Sequence, residues 1–405
     1  MHKAYKLRLY PNKTQEVLLN KTFGSVRLVW NTLLAKNIKG FEEHGKSWKQ
    51  DFNTTPLKTD FDFLKEVSAA SLQQKSRDLS ETYKQWFNSV SGKRKGKPLG
   101  YPRFKKKGLK DSYRLPNQKF KLFQADNKIQ LEKIGKVTCR YPSDMSAFNK
   151  DDLVSVTITK SKSNKYYASV IVDASVTPMP KTNKMIGIDL GIKDLMTLSN
   201  NIVIKRSNYL KENQFKIKKM QQQHLSRKKK DSKRYQKQRI KLAKLQDKIV
   251  NKRQWFIHNI TKALVKDFDV ICVESLDVKS MQGSVKNINR TLAEVSLFEV
   301  VRQLEYKCLF YDKTFVKVDK YFPSSQLCSC CGEKNKEIKN LKIREWTCGK
   351  CGAMHHRDVN AAINILKEGF KNISGESLDY KRGDFINGFD YVKNIDNFVE
   401  TLIIL

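Results

Sequence analysis

The sequence predicts a multidomain α/β protein: a small β-barrel interrupted by a helical block, then a ribonuclease H-like sheet carrying a zinc ribbon. Three observations carry that expectation. Residues 119–174 alternate apolar and polar at a period of two, "MIGID" and "VICVE" read as buried strands ending in an acid, and four cysteines form two CxxC pairs. At 405 residues the chain is long enough for roughly two to four domains and a substantial core.

The first strand is "AYKLRLYPN", with Tyr5, Leu7 and Leu9 on one face and Pro11 as its stop. Asn12 followed by Gln15 resembles a reciprocal helix cap. Val26, Val29, Trp30, Leu33 and Leu34 then form one helical stripe, and further helices are expected over residues 61–74 and 76–90. Residues 92–108 break the pattern with Gly, Pro and eight Lys/Arg, and Tyr101 and Phe104 alternate with Arg103 and Lys105. Aromatics beside cations suit an irregular or single-stranded nucleic acid, although an ordinary basic loop has the same composition. "DLVSVTITK" and "KYYASVIVDA" flank the polar turn "SKSN" as a hairpin. Together with the first strand they would close a small barrel, which makes the helical block an insertion.

After the linker "VTPMPKTNK", Met185, Ile186 and Ile188 form one strand and Leu195, Met196 and Leu198 a second, with a turn at Gly191 and Lys193-Asp194. Asp189 therefore ends a core strand, where an ionised carboxylate is costly unless a cation or donor meets it. A turn aspartate capping the hairpin is the plain alternative. Residues 216–253 carry sixteen Lys/Arg against Asp231 and Asp247. Tyr235, Leu242, Ile249, Phe256 and Ala263 recur every seven residues, so part of this run is a helix with a narrow apolar seam. That helix suits phosphate contact better than simple solvation. Residues 270–273 form a buried strand ending in Glu274, a helix is expected over 291–311, and "FVKVDKYF" is a further strand. "RDVNAAINILKEGF" is a helix with Asp358 in or just before its first turn.

Charge narrows the partners. Lys+Arg number 79 against 41 Asp+Glu, a net +38 clustered in residues 92–108 and 216–253, which calls for a polyanion. No run of about 18 apolar residues and no signal-peptide pattern occurs, so a soluble, cytoplasmic protein is expected. In that setting paired cysteines favour metal over disulfides. Cys328, Cys331, Cys348 and Cys351 make C-x2-C-x16-C-x2-C, with Gly332 and Gly352 after each pair, the pattern of a closed tetrahedral structural zinc site. "CSCC" also offers Cys330, but the CxxC spacing selects Cys328 and Cys331. Asp189, Glu274 and Asp358 form the second constellation, each about 85 residues from the next. In a ribonuclease H-like sheet the first two strands are neighbours and the late helix packs across them. The acids would then converge on two Mg²⁺ ions about 3.5–4 Å apart.

"YKLRLYPNKTQEVLLNKTFGSVRLVWN", "YPRFKKK", "GIDLGIKDL", "NKRQWFIHNITKALV", "VESLDVKSM", "YFPSSQLCSCCGEKN", "WTCGKCG" and "HHRDVNAAINIL", in that order, resemble the TnpB family. These are RNA-guided nucleases encoded by insertion sequences and related to type V CRISPR effectors. The resemblance covers about residues 1–370. It implies a wedge-like barrel at 1–10 and 96–180, and a helical recognition insertion at 11–95. A RuvC-like nuclease domain would follow at 181–370, with a basic helical insertion at 216–267 and the ribbon at 326–353. Residues 371–405 match nothing in the pattern. The resemblance places the nuclease acids on Asp189, Glu274 and Asp358, with two Mg²⁺, and one Zn²⁺ on the four cysteines. The implied partners are a guide RNA from the element's end and double-stranded target DNA beside a short flanking motif, with one chain per RNA. Gln73, Asn117 and Gln118 would read that motif; Tyr101, Arg103, Phe104, Lys105, Arg227, Lys228 and Arg253 are further expected contacts. A repressor that has lost cleavage is the nearest alternative, but such relatives lack acids of the triad. A guide-free, structure-selective nuclease is another. The Tyr–His arrangement of single-strand transposases is not seen.

Overall fold

The structure, a computed structural model, describes residues 1–108, 111–143, 145, 148–229, 232–275, 292, 294–340 and 342–375. It divides into two compact units, one of Met1–Ser175 with Arg227–Lys244, the other of Val176–Ser226 with the described residues from Leu245 on.

In the first unit β1 (His2–Tyr10) leads into α1 (Lys13–His44) through the cap the sequence marks. Asn12 Oδ1 accepts from the Gln15 amide at 2.9 Å, and Gln15 Oε1 accepts from the Asn12 amide at 3.1 Å. After α2 (Thr55–Asp60), the two expected helices prove to be one, α3 (Ala69–Val90), preceded by a 3-10 turn over Asp62–Glu66. The reason is local. Lys75, at the expected break, is a good helix former and places its amine 2.8 Å from Asp78, so nothing interrupts the helix.

The strands β2 (Asp111–Pro116), β3 (Phe120–Phe123), β4 (Lys128–Leu131), β5 (Gly135–Arg140), β6 (Leu153–Lys160) and β7 (Tyr166–Asp173) join β1 in one sheet. Its order is β2-β6-β7-β1-β5-β4-β3, antiparallel throughout. The expected closed barrel is thus an open, curled sheet. Its two edges, β2 and β3, are consecutive in the chain and meet end to end through the turn Asn117–Lys119, so no ladder joins them among the described residues. Leu7 and Leu9 of β1, Val29 and Trp30 of α1, Leu72 and Leu79 of α3, and Val156 and Val170 of the hairpin share one buried core.

The second unit is built on β8 (Met185–Leu190), β9 (Asp194–Leu198) and β10 (Val203–Lys205), followed by α4 (Tyr209–Lys219) and the long α5 (Lys233–Asp267), whose first turns belong to the first unit. Leu242, Ile249 and Phe256 on its seven-residue seam are buried. Then come β11 (Val270–Glu274), α6 (Leu297–Tyr311), β12 (Thr314–Val318), the short hairpin β13 (Glu345–Thr347) and β14 (Met354–His356), and α7 (Arg357–Ser374). The sheet order is β10-β9-β8-β11-β12. The first three strands are antiparallel, whereas β11 runs parallel to both β8 and β12. The helix expected from residue 291 is described from Leu297; residues 276–291 and the tail from 376 lie outside the described residues. No helix among the described residues is long and apolar enough to cross a membrane.

Strand alternation sorts the two faces of this sheet. Ile186 and Ile188 of β8 and Ile271 and Val273 of β11 face a core made by Ile257, Ile260 and Leu264 of α5 and Val300 and Leu304 of α6. Gly187 and Cys272 point the other way, onto α7. The approach there is close enough that a Cβ on Gly187 would fall 2.1 Å from the Ala362 carbonyl, and one on Gly369 would fall 2.4 Å from Cys272 Sγ. Gly187→Ala should therefore push α7 off the sheet and lower stability by about 1–3 kcal/mol, an overpacking cost. Thermal unfolding should show a midpoint several degrees below wild type; an unchanged midpoint would contradict the packing.

Candidate active site and cysteine ribbon

The alternation that turns Gly187 toward α7 also turns Asp189 toward it, two residues on. Likewise Glu274 follows Cys272 on the same face of the neighbouring strand. Asp358 lies in the first turn of α7, one turn before the Ala362 that seats on Gly187. The three acids therefore line one open cleft of about 490 Å³, together with Lys320, Ser324, Arg344 and Arg357.

Electrostatics in the cleft are unfavourable without a cation. Burial pushes the Asp189 carboxyl up to about 7, helped by the charges of Asp358 and Glu274 and opposed by Arg357 and Arg344. Burial also raises Glu274, against a hydrogen bond from Ser324. Arg344 Nη1 donates to both oxygens of Asp358 at 2.9 Å. Three clustered acids, of which Asp358 alone forms an ion pair among the described residues, fit a hard divalent cation.

Arg344 escaped the sequence reading because its position depends on a pairing of three-residue strands. Glu345 of β13 pairs with His356 of β14, which sets Arg344 opposite Arg357, whose amide donates to the Arg344 carbonyl at 2.7 Å. Asn360 and Asn364, four apart on the buried face of α7, were missed too. Asn360 Nδ2 donates to the Leu327 carbonyl at 2.6 Å and its Oδ1 accepts from the Ser329 amide at 2.9 Å, while Asn364 Nδ2 donates to the Ser324 carbonyl at 2.8 Å. Two asparagines on an otherwise apolar helical face were the available signal.

The same segment opens the ribbon. Gly332 and Gly352, with φ of 75° and 70°, each donate to the carbonyl of the first cysteine of their pair at 2.9 Å, so the two CxxC turns match. The sulfurs of Cys328, Cys331, Cys348 and Cys351 all lie within 4.8 Å of one another. Cys328–Cys351 and Cys331–Cys348 are 3.6 Å apart, near the ~3.8 Å edge that follows from tetrahedral metal–sulfur bonds of ~2.3 Å. Amides of Cys351 and Lys350 hold the Cys348 thiol down at about 6. The four positions thus fit a thiophilic metal. Cys330 is exposed; with Cys328 and His355 it forms a second trio that shares one sulfur with the first set.

The remaining expected residues fall in several places. Gln73 is exposed on α3, and Asn117 and Gln118 lie in the turn between β2 and β3. Glu132 joins these elements, accepting from Ser68 at the start of α3 and from Lys119 at 2.7 Å. Tyr101, Arg103 and Phe104 are exposed. Lys105 is not: its amine sits 3.4 Å from the centre of the Trp30 ring, and burial next to Lys75 lowers it to about 7. Its ammonium turns inward onto the indole, unlike the exposed side chains of its neighbours Arg103 and Phe104. Arg227 is exposed and Lys228 half-buried beyond α4, and Arg253 is half-buried on α5.

Fold and site together define an α/β protein with an acidic cleft and a four-cysteine ribbon inserted just before the helix that carries Asp358. Residues 156–285 match the family described as OrfB of IS605, "Probable transposase", and residues 298–365 a "Cas12f1-like, TNB domain". Residues 1–46 match a "Helix-turn-helix domain", although here they form β1 and the single helix α1. A Streptomyces pristinaespiralis protein named "Putative RNA-guided DNA endonuclease" is 32% identical over 96% of this chain and 95% of its own. Its Escherichia coli K12 namesake InsQ is also 32% identical, over 90% and 92%. A solved Cas12f1 chain, from a complex with sgRNA and target DNA, shares the fold with a TM-score of 0.51 at 13% identity, covering 90% of this chain and 98% of that one. The chain belongs to the IS605 OrfB, or TnpB, family.

Two outcomes follow from the geometry. Elemental analysis should find one thiophilic metal per chain, lost in Cys348→Ser and kept in Cys330→Ser. The second concerns Asp189. Its folded value of about 7 exceeds its ordinary 3.8, so the folded state holds a proton that the unfolded state has released. Stability is thus lost as pH rises from about 4 to 7, with the full penalty above that. Without added divalent metal, Asp189→Asn should unfold at a higher temperature than wild type at pH 8, and the gap should close toward pH 4.

Proposed function

We propose that this chain is an RNA-guided endonuclease that hydrolyses double-stranded DNA at a RuvC-type site formed by Asp189, Glu274 and Asp358. The observation that carries the reading is the convergence of the three acids, from two parallel strand ends and a helix start, on one cleft where Asp189 is pushed to about 7. RNA guidance is what the names of the two 32%-identical relatives say of them. The net charge of +38 supports a partner of that kind.

In this reading Asp189, Glu274 and Asp358 would together hold two Mg²⁺ ions. Bound magnesium supplies positive charge and acidifies a water for attack on phosphorus. The protein's own groups prepare that reaction. Asp189 must give up its proton, Ser324 orients Glu274, and Arg344 holds the Asp358 carboxylate until a cation competes for it. Arg344 and Lys320 at the cleft offer positive charge to the scissile phosphate. The ribbon's metal is proposed as structural zinc, with all four positions filled. Gln73, Asn117 and Gln118, on elements joined through Glu132, are proposed to read the flanking motif, and base pairing with the guide supplies the rest of the sequence choice.

Asp189→Ala, Glu274→Ala and Asp358→Ala should each lower the cleavage rate by ~10³-fold or more, with RNA binding intact. The assay uses the purified chain, its RNA remade with a new guide segment, and two plasmids that keep the flanking motif. Cutting should follow the new guide. Cutting that stays with the old sequence, or proceeds without RNA, would replace this reading with a structure-selective nuclease. Guided binding without cutting would leave a repressor.

A further inference from the structure

The first unit carries a cavity of its own. It holds about 170 Å³ between Phe41, Trp48, Trp86, Phe87 and Tyr101. Pockets for drug-sized ligands run ~300–1,000 Å³, so this one takes a single planar ring system. Its walls are fixed in advance. The Trp48 indole lies against the backbone of Gly40, where a Cβ would come within 2.3 Å of the ring, and its Nε1 donates to Asn37 at 3.1 Å. Trp86 meets Tyr101 edge-on, with centroids 4.9 Å apart and planes at 82°, and the Tyr101 hydroxyl lies 2.7 Å from that of Tyr83. Phe41, Phe87 and Tyr101 nevertheless stay 53%, 43% and 39% exposed.

Two further observations narrow the occupant. Gln50 lines the cavity, and among the described residues its carboxamide makes no hydrogen bond, so one polar edge is open. The segment that joins two of its walls is cationic. Residues 93–97 read "KRKGK" between the two wall residues Phe87 and Tyr101, and the Arg94 amide bonds to the Asn88 carbonyl at 3.0 Å, beside Phe87. Aromatic walls call for a flat apolar face, Gln50 for a hydrogen-bonding edge, and the basic segment between Phe87 and Tyr101 for attached negative charge. A nucleotide base on its phosphate chain has all three.

We propose that this cavity is a stacking pocket for one unpaired base of a single-stranded RNA segment. RNA is favoured because its loops and ends present splayed bases, whereas duplex DNA keeps its bases stacked. The proposal rests on the nucleic-acid reading above.

The test uses the full chain and a single-stranded ribo-oligomer of about twelve nucleotides carrying one iodouridine. Irradiation should cross-link it to the peptides bearing Trp48, Phe87 or Tyr101. Phe87→Ala and Phe41→Ala, both at exposed positions, should keep the wild-type unfolding midpoint and weaken binding on the order of tenfold. That loss should be equal at every salt concentration, because stacking releases no counterions. Lys93→Ala should instead flatten the slope of log K against log salt. Cross-links mapping elsewhere, or binding by Phe87→Ala within about twofold of wild type, overturns the pocket alone. Equal protection of the cross-link by a deoxyribo-oligomer of the same sequence overturns the assignment to RNA. A wild-type chain that binds no oligomer at low salt overturns the nucleic-acid reading along with the pocket.

Discussion

A helix brings a carboxylate close to the ends of two parallel strands where small residues let its backbone approach the sheet. In this chain Gly187 and Gly369 clear that space. Across it α7 approaches β8 nearly backbone to backbone at Gly187 and takes the Cys272 side chain of β11 against Gly369, and the positions of the three acids follow from the contact. Asp189 and Glu274 face the helix because they lie two residues beyond Gly187 and Cys272 on pleated strands. Asp358 reaches them because it lies one helical turn before Ala362. The opposite face of the same strands carries Ile186, Ile188, Ile271 and Val273, whose burial against α5 and α6 fixes the register in which the acids emerge.

The cleft so built works against the fold's own stability. Gathering three acids beneath partial burial disfavours their ionised forms, and the protein offsets this only in part, through Arg344, Arg357 and Ser324. Such local conflict marks a candidate functional site. A purely structural cluster of this depth would have paired every carboxylate. Arg344 pairs one, and that one by a single nitrogen shared between two oxygens.

Much of this arrangement was legible because its signals are local and periodic. The strands before Asp189 and Glu274, the cap at Asn12, the hairpin over residues 153–173 and the paired CxxC turns all announce themselves within a dozen residues. Features that depend on distant pairing did not. Arg344 is placed by the match of β13 with β14, and Lys105 is turned inward by Trp30, far away in the chain. The break expected before residue 76 failed because helix propensity through Lys75 outweighed a lapse in the apolar stripe. The barrel opened into a curled sheet because edge-to-edge closure is decided by how β2 and β3 align, which no alternation pattern encodes.

The ribbon interrupts the path from β12 to α7, and it is bolted to the helix it precedes. Asn360 and Asn364 grip its entrance, while its second half ends in the hairpin that holds Arg344 over Asp358. Four sulfurs and three carboxylates therefore share one mechanical frame. Oxidants attack thiolates and leave aspartates untouched, yet damage at the sulfur end would reach the oxygen end through the hairpin that carries Arg344.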